Sequence, residues 1–403
     1  MDTQNSKANK TIKPRFSGKR VKVPLGSLGK VVTGNTPSKK DERYWATEDV
    51  PFIKPGDIDE SAVTYLADGT EYIADCAIGK ARCVGAGAVL VTCIGTIAKI
   101  AVVNCNCIAF NQQINAIDVD RNVVDPQYLA YALKANNTRL KMLANAPVVP
   151  IINKRQFESF VLLIHSDLNV QREIVSQFTA IGSQRQKLDG ELCHLDDLVK
   201  SRFVEMFGDL ITNDRGWGFV KLSNVCDVRD GTHASPRYCD RGYPLMTSKN
   251  FSQGIVDYSG AKLISFEDYS EINRRSKVDA GDIVMPMIGT IGHPVIIDSG
   301  HEFAIKNVAL LKTSTSRINK VFLKALLESD YFTHISESEN KGATQKFISL
   351  GSIRNLMIPD ASLNLQQKFA AFVQQVDKLR FKTQQQIEKL EMLKASLMQE
   401  YFE

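Results

Sequence analysis

The chain repeats itself at a distance of about 195 residues. Similar segments end at Gly34 (VPLGSLGKVVTG) and at Gly231 (VKLSNVCDVRDG), which are 197 positions apart. The segment GAVLVTCIGTI at 87–97 recurs as GDIVMPMIGTI at 281–291, 194 positions later. An offset that drifts by only a few residues indicates two copies of one fold with small loop insertions. We therefore expect a pseudo-dimer within one chain, which suits a target with two related halves.

The composition is that of an ordinary globular protein. The 403 residues leave room for roughly two to four domains and a substantial core. Hydrophobic residues make up 43% of the chain and charged residues 24%, as is usual for such proteins. No run approaches the ~20 apolar residues that span a bilayer, and the N-terminus lacks the apolar stretch of a signal peptide. We expect a cytoplasmic protein.

Cysteine and histidine spacings do not indicate a metal site. The eight cysteines contain no C-x-x-C pair, and the six histidines contain no H-x-x-x-H pair. The favoured interpretation is that the cysteines are reduced core thiols. No histidine recurs at an equivalent position of the second repeat, although a duplicated enzyme would usually keep its acid–base group. The sequence therefore favours binding over catalysis, with no metal.

The net charge of +5 is located in the first 20 residues. They contain six basic residues and one acid, while the rest of the chain is neutral overall. The segment is polar and lacks periodicity, so residues 1–20 are predicted to form a disordered basic tail. It is either an arm for nucleic acid or a solvated leader. If the folded body binds an acidic polymer, it must do so through the distribution of its charges.

Residues 21–166 and 216–361 have the pattern of two β-rich domains. In VGAGAVLVTCIGTIAKIAVV (84–103), glycine separates runs rich in valine and isoleucine, which predicts two or three strands joined by tight turns. Each domain also contains a short segment with apolar residues at helical spacing, DPQYLAYALKAN (125–136) and INKVFLKALLES (318–329). One short helix is therefore expected in each β-rich domain.

Two long helices are predicted at 167–209 and 362–403. Positions spaced alternately by four and three residues are apolar at eight of ten places in the first segment and seven of ten in the second, which is a heptad stripe. The stripe positions are Ile174, Phe178, Ile181, Arg185, Leu188, Leu192, Leu195, Val199, Arg202 and Met206, then Phe369, Val373, Val376, Arg380, Thr383, Ile387, Leu390, Lys394, Leu397 and Tyr401. A helix of ~36 residues is ~54 Å long. The economical partner for one stripe is the other, which predicts an antiparallel coiled coil and a pseudo-twofold α+β protein.

Equivalent residues on the two helices carry further expectations. Asn169 and Asn364 are expected as N-caps, because an asparagine side chain can accept a hydrogen bond from a first-turn amide. Leu198 and Leu393 are expected to widen the apolar stripes at the same place.

Arg185 and Arg380 occupy the same stripe position in both repeats. Their aliphatic stems can lie along the seam while the guanidinium groups reach solvent. The alternative is that they contact a partner protein. The first interpretation is favoured.

The two GTI turns, CIGTIAKI (93–100) and MIGTIGHP (287–294), are the candidates for catalytic chemistry. A glycine-rich turn can hold a phosphate with backbone amides. The spacing matches neither G-x-x-x-x-G-K-[ST] nor G-x-G-x-x-G, however, and no long helix follows directly. A tight strand-connecting turn is therefore the favoured interpretation.

Polar residues beside these turns differ between the repeats while the apolar positions are kept. FNQQINAI (110–117) aligns with AIKNVALL (304–311), so that Gln112-Gln113 becomes Lys306-Asn307. Amide and cationic side chains can pair with base edges in the major groove, and cationic and hydroxyl side chains suit phosphates. A common frame with different polar residues is what two readers of different short sequences need. For each single residue, however, an ordinary solvent-exposed polar side chain is favoured over a base contact.

These features together resemble the specificity subunits of Type I restriction-modification systems. The resemblance rests on two β-rich repeats, each with a GTI turn, followed by helices that end in EMFGD (205–209) and QEYFE (399–403). The segment FISLGSIRNLMIPDASLNLQQKF (347–369) is similar to the family's junction between recognition domain and conserved helix, and 152–178 is a looser version. The resemblance covers residues 21–403. The long basic leader departs from the usual pattern.

The resemblance implies a DNA-binding subunit without catalytic activity. Residues 21–166 and 216–361 would be target recognition domains, each reading one half of a split site, and the helices would be spacers that dock two methyltransferase subunits. S-adenosylmethionine would bind to those subunits, and ATP and Mg to two motor-nuclease subunits that can join. The expected DNA-binding residues are Thr36, Ser38, Lys39, Lys40, Arg43, Lys54, Thr96, Lys99, Gln112 and Gln113 in the first domain, and His233, Arg237, Ser248, Lys249, Asn250, Thr290, His293, Lys306 and Asn307 in the second. The expected partner-binding residues are Arg185, Leu192, Arg380 and Leu390.

Two alternatives stay open at this point. A structural or regulatory protein would use the helix pair for assembly and the β-rich domains for protein binding, and it would show no DNA sequence preference. An enzyme would use the GTI turns on phosphate, and replacing Gly95 or Gly289 with a bulky residue would abolish its nucleotide binding.

Overall fold

The structure is a computed structural model that describes residues 19–144, 149–251, 254–288, 293–298, 302–313, 316–339 and 347–403. The chain forms two compact units, and each unit combines one β-rich region with segments of both long helices. Residues 1–187 and 386–403 form the first unit, and residues 188–385 form the second. Each long helix is therefore divided between the two units, and each of its segments packs with the β-rich region of the unit to which it belongs.

The described residues of the first unit form three sheets. Its strands are β1 (Arg20–Pro24), β2 (Gly29–Thr33), β3 (Val50–Ile53), β4 (Val63–Leu66), β5 (Tyr72–Ile73), β6 (Cys83–Val84), β7 (Val89–Thr92), β8 (Ile100–Val103), β9 (Ile108–Phe110), β10 (Ile114–Val119) and β11 (Val161–His165). The strand orders are β2-β10-β7-β8-β4, β5-β3-β9-β6 and β1-β11. The helices are α1 (Pro126–Ala135), α2 (Asn137–Lys141), α3 (Lys154–Ser159) and α4 (Leu168–Phe207), the last of which continues into the second unit.

The second unit repeats this plan. Its strands are β12 (Phe219–Lys221), β13 (Asp227–Asp230), β14 (Tyr238–Cys239), β15 (Tyr243–Met246), β16 (Lys262–Ile264), β17 (Ile283–Pro286), β18 (Val295–Ile296), β19 (Ala304–Ile305), β20 (Val308–Lys312) and β21 (Met357–Pro359). The orders β13-β20-β17-β18 and β12-β21 match β2-β10-β7-β8 and β1-β11. The parallel pair β15·β19 matches the parallel pair β3·β9. The helices are α5 (Phe266–Ser276), α6 (Lys320–Leu327), α7 (Asp330–Glu339), α8 (Leu350–Asn355) and α9 (Leu363–Phe402).

This correspondence confirms the predicted α+β class with two similar β-rich regions and two long helices. The expected short helices are α1 and α6, and both begin after a side-chain cap. Asp125 Oδ1 accepts hydrogen bonds from the Gln127 and Tyr128 amides, and Asn319 does the same for the start of α6. The buried face of α1 packs into the core of the first unit through residues that include Leu129.

The N-caps of the long helices are not the predicted ones. Asp167 Oδ1 accepts from the Asn169 amide at 2.8 Å, and Ser362 Oγ accepts from the Leu365 amide at 3.4 Å. Asn169 and Asn364 therefore lie inside the first turn. Several residues near the start of each long helix are able to cap it. The prediction was wrong because the position at which the chain leaves the preceding strand decides which of them becomes the cap.

The heptad stripes are confirmed, because every stripe position of α4 and α9 is buried or half-buried. Phe178 packs on Phe402 in the first unit, with ring centroids 6.1 Å apart, and Phe203 packs on Phe369 in the second unit, at 5.6 Å. Leu198 and Leu393 do not widen the stripes, however. Their exposed fractions are 46% and 47%, because each lies next to a stripe position but on the side that faces away from the seam.

Ion pairs across the helices show their direction within each unit. Arg185 Nη1 lies 2.9 Å from Glu391 Oε1 in the first unit, and Arg380 pairs with Asp196 in the second. As α4 proceeds from Phe178 to Arg185, its contacts on α9 move backwards along the chain, so the segments are antiparallel. The guanidinium groups therefore do not simply extend into solvent, as was favoured, but join the two helices.

The N-terminal basic segment is mostly outside the described residues, which begin at 19. Arg20, placed in the tail by the sequence, is instead the first residue of β1 and pairs with His165 of β11. The predicted boundary was too late because Arg20 begins a strand in which exposed side chains alternate with the half-buried Val21 and Val23. Among the described residues, no helix has both the length and the apolar character needed to cross a membrane.

Candidate nucleic-acid interface

One edge of the first unit collects the ends of several strands. The loop after β2 is held by two backbone hydrogen bonds, from the Gly34 amide to the Ile114 carbonyl and from the Asn35 amide to the Phe110 carbonyl, each 3.0 Å. The Cys93 amide after β7 donates to the Gln113 carbonyl at 2.7 Å. We call residues 34–36, 93–96 and 111–113 the first strand-end cluster. It brings together Thr36, Thr96, Gln112 and Gln113, which the sequence had selected from three separate segments.

Side chains of the first strand-end cluster orient each other. Thr36 Oγ1 donates to Gln112 Oε1 at 2.9 Å. Asn111 Oδ1 accepts from the Gln113 amide at 3.0 Å, and Asn111 Nδ2 donates to Gln113 Oε1 at 2.8 Å. Because Asn111 is buried and uses both ends of its amide, it fixes which end of Gln113 is turned outward. That outward end is the NH₂ group.

Two of the predicted cations beside this cluster are engaged within the protein. Lys54 forms an ion pair with Glu71, and its backbone amide donates to Asp57 Oδ2 at 2.7 Å. Lys99 Nζ donates to the Pro55 carbonyl at 2.8 Å. Both residues are half-buried. Lys99 joins the loop after β3 to the start of β8, and Lys54 joins the same loop to the residue before β5. The sequence could not indicate these contacts because Pro55 and Glu71 are distant partners in the chain.

The loop that follows Thr36 carries exposed cations. Ser38, Lys39, Lys40 and Arg43 are all exposed, and Lys39 Nζ lies 5.5 Å from the centre of the Trp45 ring. The hydrogen bond from Arg43 lowers the pKa of the Asp41 carboxyl group. Cationic side chains at the rim of a strand-end cluster are suited to phosphate contacts.

The second unit has the same backbone frame. The Gly231 amide donates to the Val308 carbonyl at 3.0 Å, and the Thr232 amide donates to the Ile305 carbonyl at 2.9 Å. Residues 231–235, 246–248 and 305–307 are the second strand-end cluster. These two bonds repeat those of Gly34 and Asn35, so the frame is shared even though the side chains differ.

Different side chains project from this frame. His233 contacts Asn307, with 2.8 Å between Nδ1 and Oδ1, and Lys306 Nζ donates to Ser235 Oγ at 2.7 Å. Ser248 Oγ donates to the Asn307 carbonyl at 3.3 Å. The predicted residues His233, Ser248, Lys306 and Asn307 are therefore neighbours.

The remaining predicted residues of the second unit differ in exposure. Arg237, Lys249 and His293 are exposed. Asn250 is buried, accepts from the Thr247 amide at 2.9 Å and donates to the Asp257 carbonyl at 2.8 Å. It is a structural residue rather than a candidate base contact, since both ends of its amide are occupied. Thr290 lies outside the described residues.

Sequence reasoning missed residues that position the selected ones. Asn111 orients Gln113, Asp230 contacts His233, and Arg275 contacts Asp230. It also missed two short segments beside the turns, where isolated bridges join Ile94 to Ile151 and Ile288 to Phe347. The two bridges lie about 195 positions apart in the chain, so the repeat could have revealed them. Asp230 and Arg275 belong to no repeated pattern, and the sequence could not reveal their contacts.

The described residues show no metal-binding constellation, because groups of three histidine, cysteine or acidic side chains with suitable geometry do not occur there. The eight cysteine thiols are free. Cys93 and Cys226 are buried, whereas Cys76, Cys193 and Cys239 are exposed, so the interpretation of all as core thiols was wrong for these three.

The predicted partner-binding residues mostly face inward. Leu390 packs against the core of the first unit, Leu192 is half-buried on the stripe of α4, and Arg185 and Arg380 are paired across the helices. Other apolar side chains of the helices are exposed instead. They are Leu198, Val204, Leu363, Leu379 and Phe381 in the second unit, and Met392 and Leu393 in the first.

Two copies of one β-rich module, each with a polar strand-end cluster and each packed on two long helices, define a class of duplicated binding protein. The family of the Type I restriction modification DNA specificity domain matches residues 19–190 and 214–392. The chain belongs to this family, and each match contains one strand-end cluster.

Curated relatives and solved structures agree with this assignment. The chain is 21% identical to the Type I restriction enzyme MjaIX specificity subunit of Methanocaldococcus jannaschii, over 93% of this chain and 90% of that protein. It is 23% identical to the MjaVIII specificity subunit of the same organism, over 68% and 69%.

The similar solved structures support the fold. One is the S subunit of a Type I restriction-modification system from M. genitalium, with 14% identity, a TM-score of 0.54, and coverage of 97% of this chain and 98% of that chain. Another comes from work on complex assembly and conformational transition of the type I R-M system, with 16% identity, a TM-score of 0.62, and coverage of 96% and 98%.

Proposed function

We propose that this chain is the non-catalytic specificity subunit of a Type I restriction-modification complex and reads a bipartite DNA site, one half with each strand-end cluster. The observation that supports this proposal is the shared backbone frame with different outward side chains. The bonds at Gly34 and Gly231 use only backbone atoms. The side chains beside them can therefore differ between the clusters, and so can the bases they recognise.

The chemistry of each cluster suits direct contact with bases. Gln112 and Gln113 offer amides in the first cluster, while Lys306 and Asn307 offer a cation and an amide in the second. Such groups pair with the donors and acceptors of the major groove, and each good pair discriminates by about 1–3 kcal/mol. The exposed cations Lys39, Lys40 and Arg43 would contact phosphates and set the register of the protein on DNA. Binding would then weaken as salt rises.

Exchange of one recognition domain tests the bipartite mechanism. Residues 216–361 are replaced with the matching domain of a relative of different specificity, and methylated adenines are mapped in cells that express the chimera with the modification subunits. We expect one half of the target to change and the other half to persist. The reciprocal exchange of residues 21–166 is the matched control and should change the other half. A footprint altered in both halves, or in neither, contradicts the mechanism.

The long helices would dock two methyltransferase subunits, which supply S-adenosylmethionine chemistry, and two motor-nuclease subunits that use ATP and Mg can join them. Large apolar side chains on exposed helix faces are typical of protein interaction sites. Phe381 is 64% exposed and Leu379 is 50% exposed on α9. These outward residues are stronger docking candidates than the inward Leu192 and Leu390.

Paired substitutions separate docking from helix packing. Phe381→Asp should abolish co-purification with the methyltransferase subunits while the chain keeps its fold. Gln386→Asp, which is exposed on the other side of α9, is the matched control and should leave co-purification unchanged. Leu192→Asp should instead break assembly by damaging the helix pair, since an unpaired charge on an apolar seam costs several kcal/mol unless it reaches water. Normal co-purification of Phe381→Asp would exclude this docking face.

A further inference from the structure

His233 is held between an acidic group and a predicted DNA-contacting amide. Its Nε2 lies 2.8 Å from Asp230 Oδ2, and its Nδ1 lies 2.8 Å from Asn307 Oδ1. Arg275 Nη2 donates to the other oxygen of Asp230 at 2.9 Å, which holds the carboxylate in place. The imidazole therefore joins β13 to the turn between β19 and β20.

The backbone of Asn307 is fixed independently of its side chain. Its φ of +56° is a left-handed conformation that asparagine tolerates better than most residues. Its amide donates to the Thr232 carbonyl at 3.2 Å, and its own carbonyl accepts from Ser248 Oγ. The freedom that remains at Asn307 is rotation of the side-chain amide, and the partner of that amide is His233.

The protonation of His233 decides which end of the Asn307 amide faces it. The Asp230 carboxylate oxygen can only accept, so Nε2 carries a proton. In the imidazolium form Nδ1 also donates, and Asn307 must offer its oxygen, which leaves the NH₂ group outward. In the neutral form Nδ1 accepts, and Asn307 must rotate to offer its NH₂ group, which leaves the oxygen outward.

The two outward groups select different bases. An NH₂ group donates to acceptors in the major groove, such as guanine O6 or thymine O4, whereas an oxygen accepts from the amino group of cytosine or adenine. We propose that His233 is a positioning residue that sets the outward face of Asn307, so that the base preferred at one position of the second half-site changes with the protonation of His233. This inference rests on the proposed function, because it concerns the same site.

The first strand-end cluster lacks this dependence and supplies an internal control. Gln113 occupies the position equivalent to Asn307, and the buried Asn111 fixes its amide through two hydrogen bonds. An asparagine amide does not titrate, so Gln113 keeps its NH₂ group outward at any pH of interest. In the second repeat Ile305 takes the place of Phe110 in the backbone frame, and the turn is one residue shorter, with Lys306 and Asn307 where the first repeat has Asn111, Gln112 and Gln113.

The charged groups that surround His233 include Asp230 on β13, Arg275 on α5 and Lys306 in the adjacent turn. Asp230 and Arg275 are paired with each other, and Lys306 Nζ points to Ser235 Oγ. The imidazole is then the group whose change of charge alters the hydrogen bond to Asn307.

Selection from a randomised duplex DNA library tests the inference. The full chain selects DNA at about pH 5.5 and about pH 8, which bracket the range in which imidazole side chains ordinarily titrate, at one salt concentration. We expect the preferred base at one position of one half-site to change, with relative affinities shifting on the order of fivefold, the effect of one hydrogen bond. The other half-site should keep its preferences.

Three variants complete the experiment. His233→Gln should give the same preference at both pH values, whereas His334→Gln, at an exposed histidine of α7, should behave as the unaltered chain. Asn307→Ala should lose discrimination at that position at both pH values, and circular dichroism verifies its fold.

The outcomes separate this inference from the proposed function. If the chain selects a bipartite site but its preference is the same at both pH values, or changes in both halves, the role of His233 is overturned. The proposed function is unaffected by that result. A chain that selects no DNA sequence at either pH overturns the proposed function and this inference with it.

Discussion

Replacing Gly34 with alanine should destabilise the first unit strongly, because the loop after β2 lies directly on the backbone before β10. A Cβ atom at Gly34 would lie 2.1 Å from the Asn111 carbonyl oxygen and 2.4 Å from the Phe110 carbonyl oxygen. Real Cβ atoms essentially never approach this closely, so the loop must move away. The equivalent Gly231 would place a Cβ atom 2.4 Å from the Ile305 carbonyl oxygen.

The structure allows the cost to be calculated approximately. Moving the loop lengthens the hydrogen bonds of the Gly34 and Asn35 amides, both 3.0 Å long. Each such bond contributes about 1 kcal/mol, and residual overpacking adds about 1–3 kcal/mol. We expect Gly34→Ala to lower the free energy of unfolding of the first unit by about 4 kcal/mol, the middle of the range of about 3–5 kcal/mol that the two bonds and the overpacking give together. Gly231→Ala should have a similar effect on the second unit.

The two tryptophans of the chain allow each unit to be followed separately. Trp45 packs edge-on against Phe52 in the first unit, with ring centroids 5.3 Å apart. Trp217 Nε1 donates to the Phe207 carbonyl at 2.6 Å in the second unit. Urea denaturation of Gly34→Ala is measured by fluorescence in a Trp217→Phe background, and Gly231→Ala is measured in a Trp45→Phe background.

Matched controls come from glycines with open surroundings. A Cβ atom at Gly56 in the first unit or at Gly218 in the second would meet nothing within 4 Å. Gly56→Ala and Gly218→Ala should change stability by no more than about 0.5 kcal/mol. If Gly34→Ala is as stable as Gly56→Ala, the close approach does not constrain the loop, and the account of the shared frame is wrong.

Three further predictions concern the helix pair, a buried histidine and the thiols. Phe178→Ala should cost the first unit about 3–5 kcal/mol in urea denaturation, because the side chain is 3% exposed, whereas Arg185→Ala should cost less than about 1 kcal/mol, because its ion pair is partly exposed. Burial lowers the pKa of His165 below the ordinary 6.5, so the folded state binds fewer protons than the unfolded state. The midpoint of thermal unfolding of the first unit should therefore fall as pH drops below 6.5, and His165→Gln should reduce this slope. Burial raises the pKa of Cys93 to about 12, so iodoacetamide should modify the exposed Cys193 readily and Cys93 only after unfolding.

The fold was largely predictable because its signals are local and occur twice. Alternating four- and three-residue spacing defines a buried face of a helix without any knowledge of its partner. Phe178 and Phe369 were assigned to the seam on this basis, and both are buried. The GTI turns and the segments that end at Gly34 and Gly231 gave equivalent strand ends for the same reason.

The contacts that the sequence did not reveal depend on partners that are distant in the chain. Lys54 and Lys99 looked like free cations, but their partners Glu71 and Pro55 lie 17 and 44 positions away in the chain. Asn250 was predicted to contact DNA, but it is buried and its side-chain amide donates a hydrogen bond to the Asp257 carbonyl. Composition and periodicity do not contain such pairings, since only the folded chain brings these atoms together.

The candidate site shows the same division between frame and side chain. The position two residues after each frame glycine holds Thr36 in one repeat and His233 in the other, and both side chains contact an amide of the facing turn. The sequence could place both residues in the site, because their offset follows from the repeat. The sequence could not show that they orient Gln112 and Asn307, because threonine and histidine are different residue types and their common role is not visible in an alignment of the two repeats. Since backbone bonds hold the frame, the side chains on it can differ between the two repeats at little cost in stability.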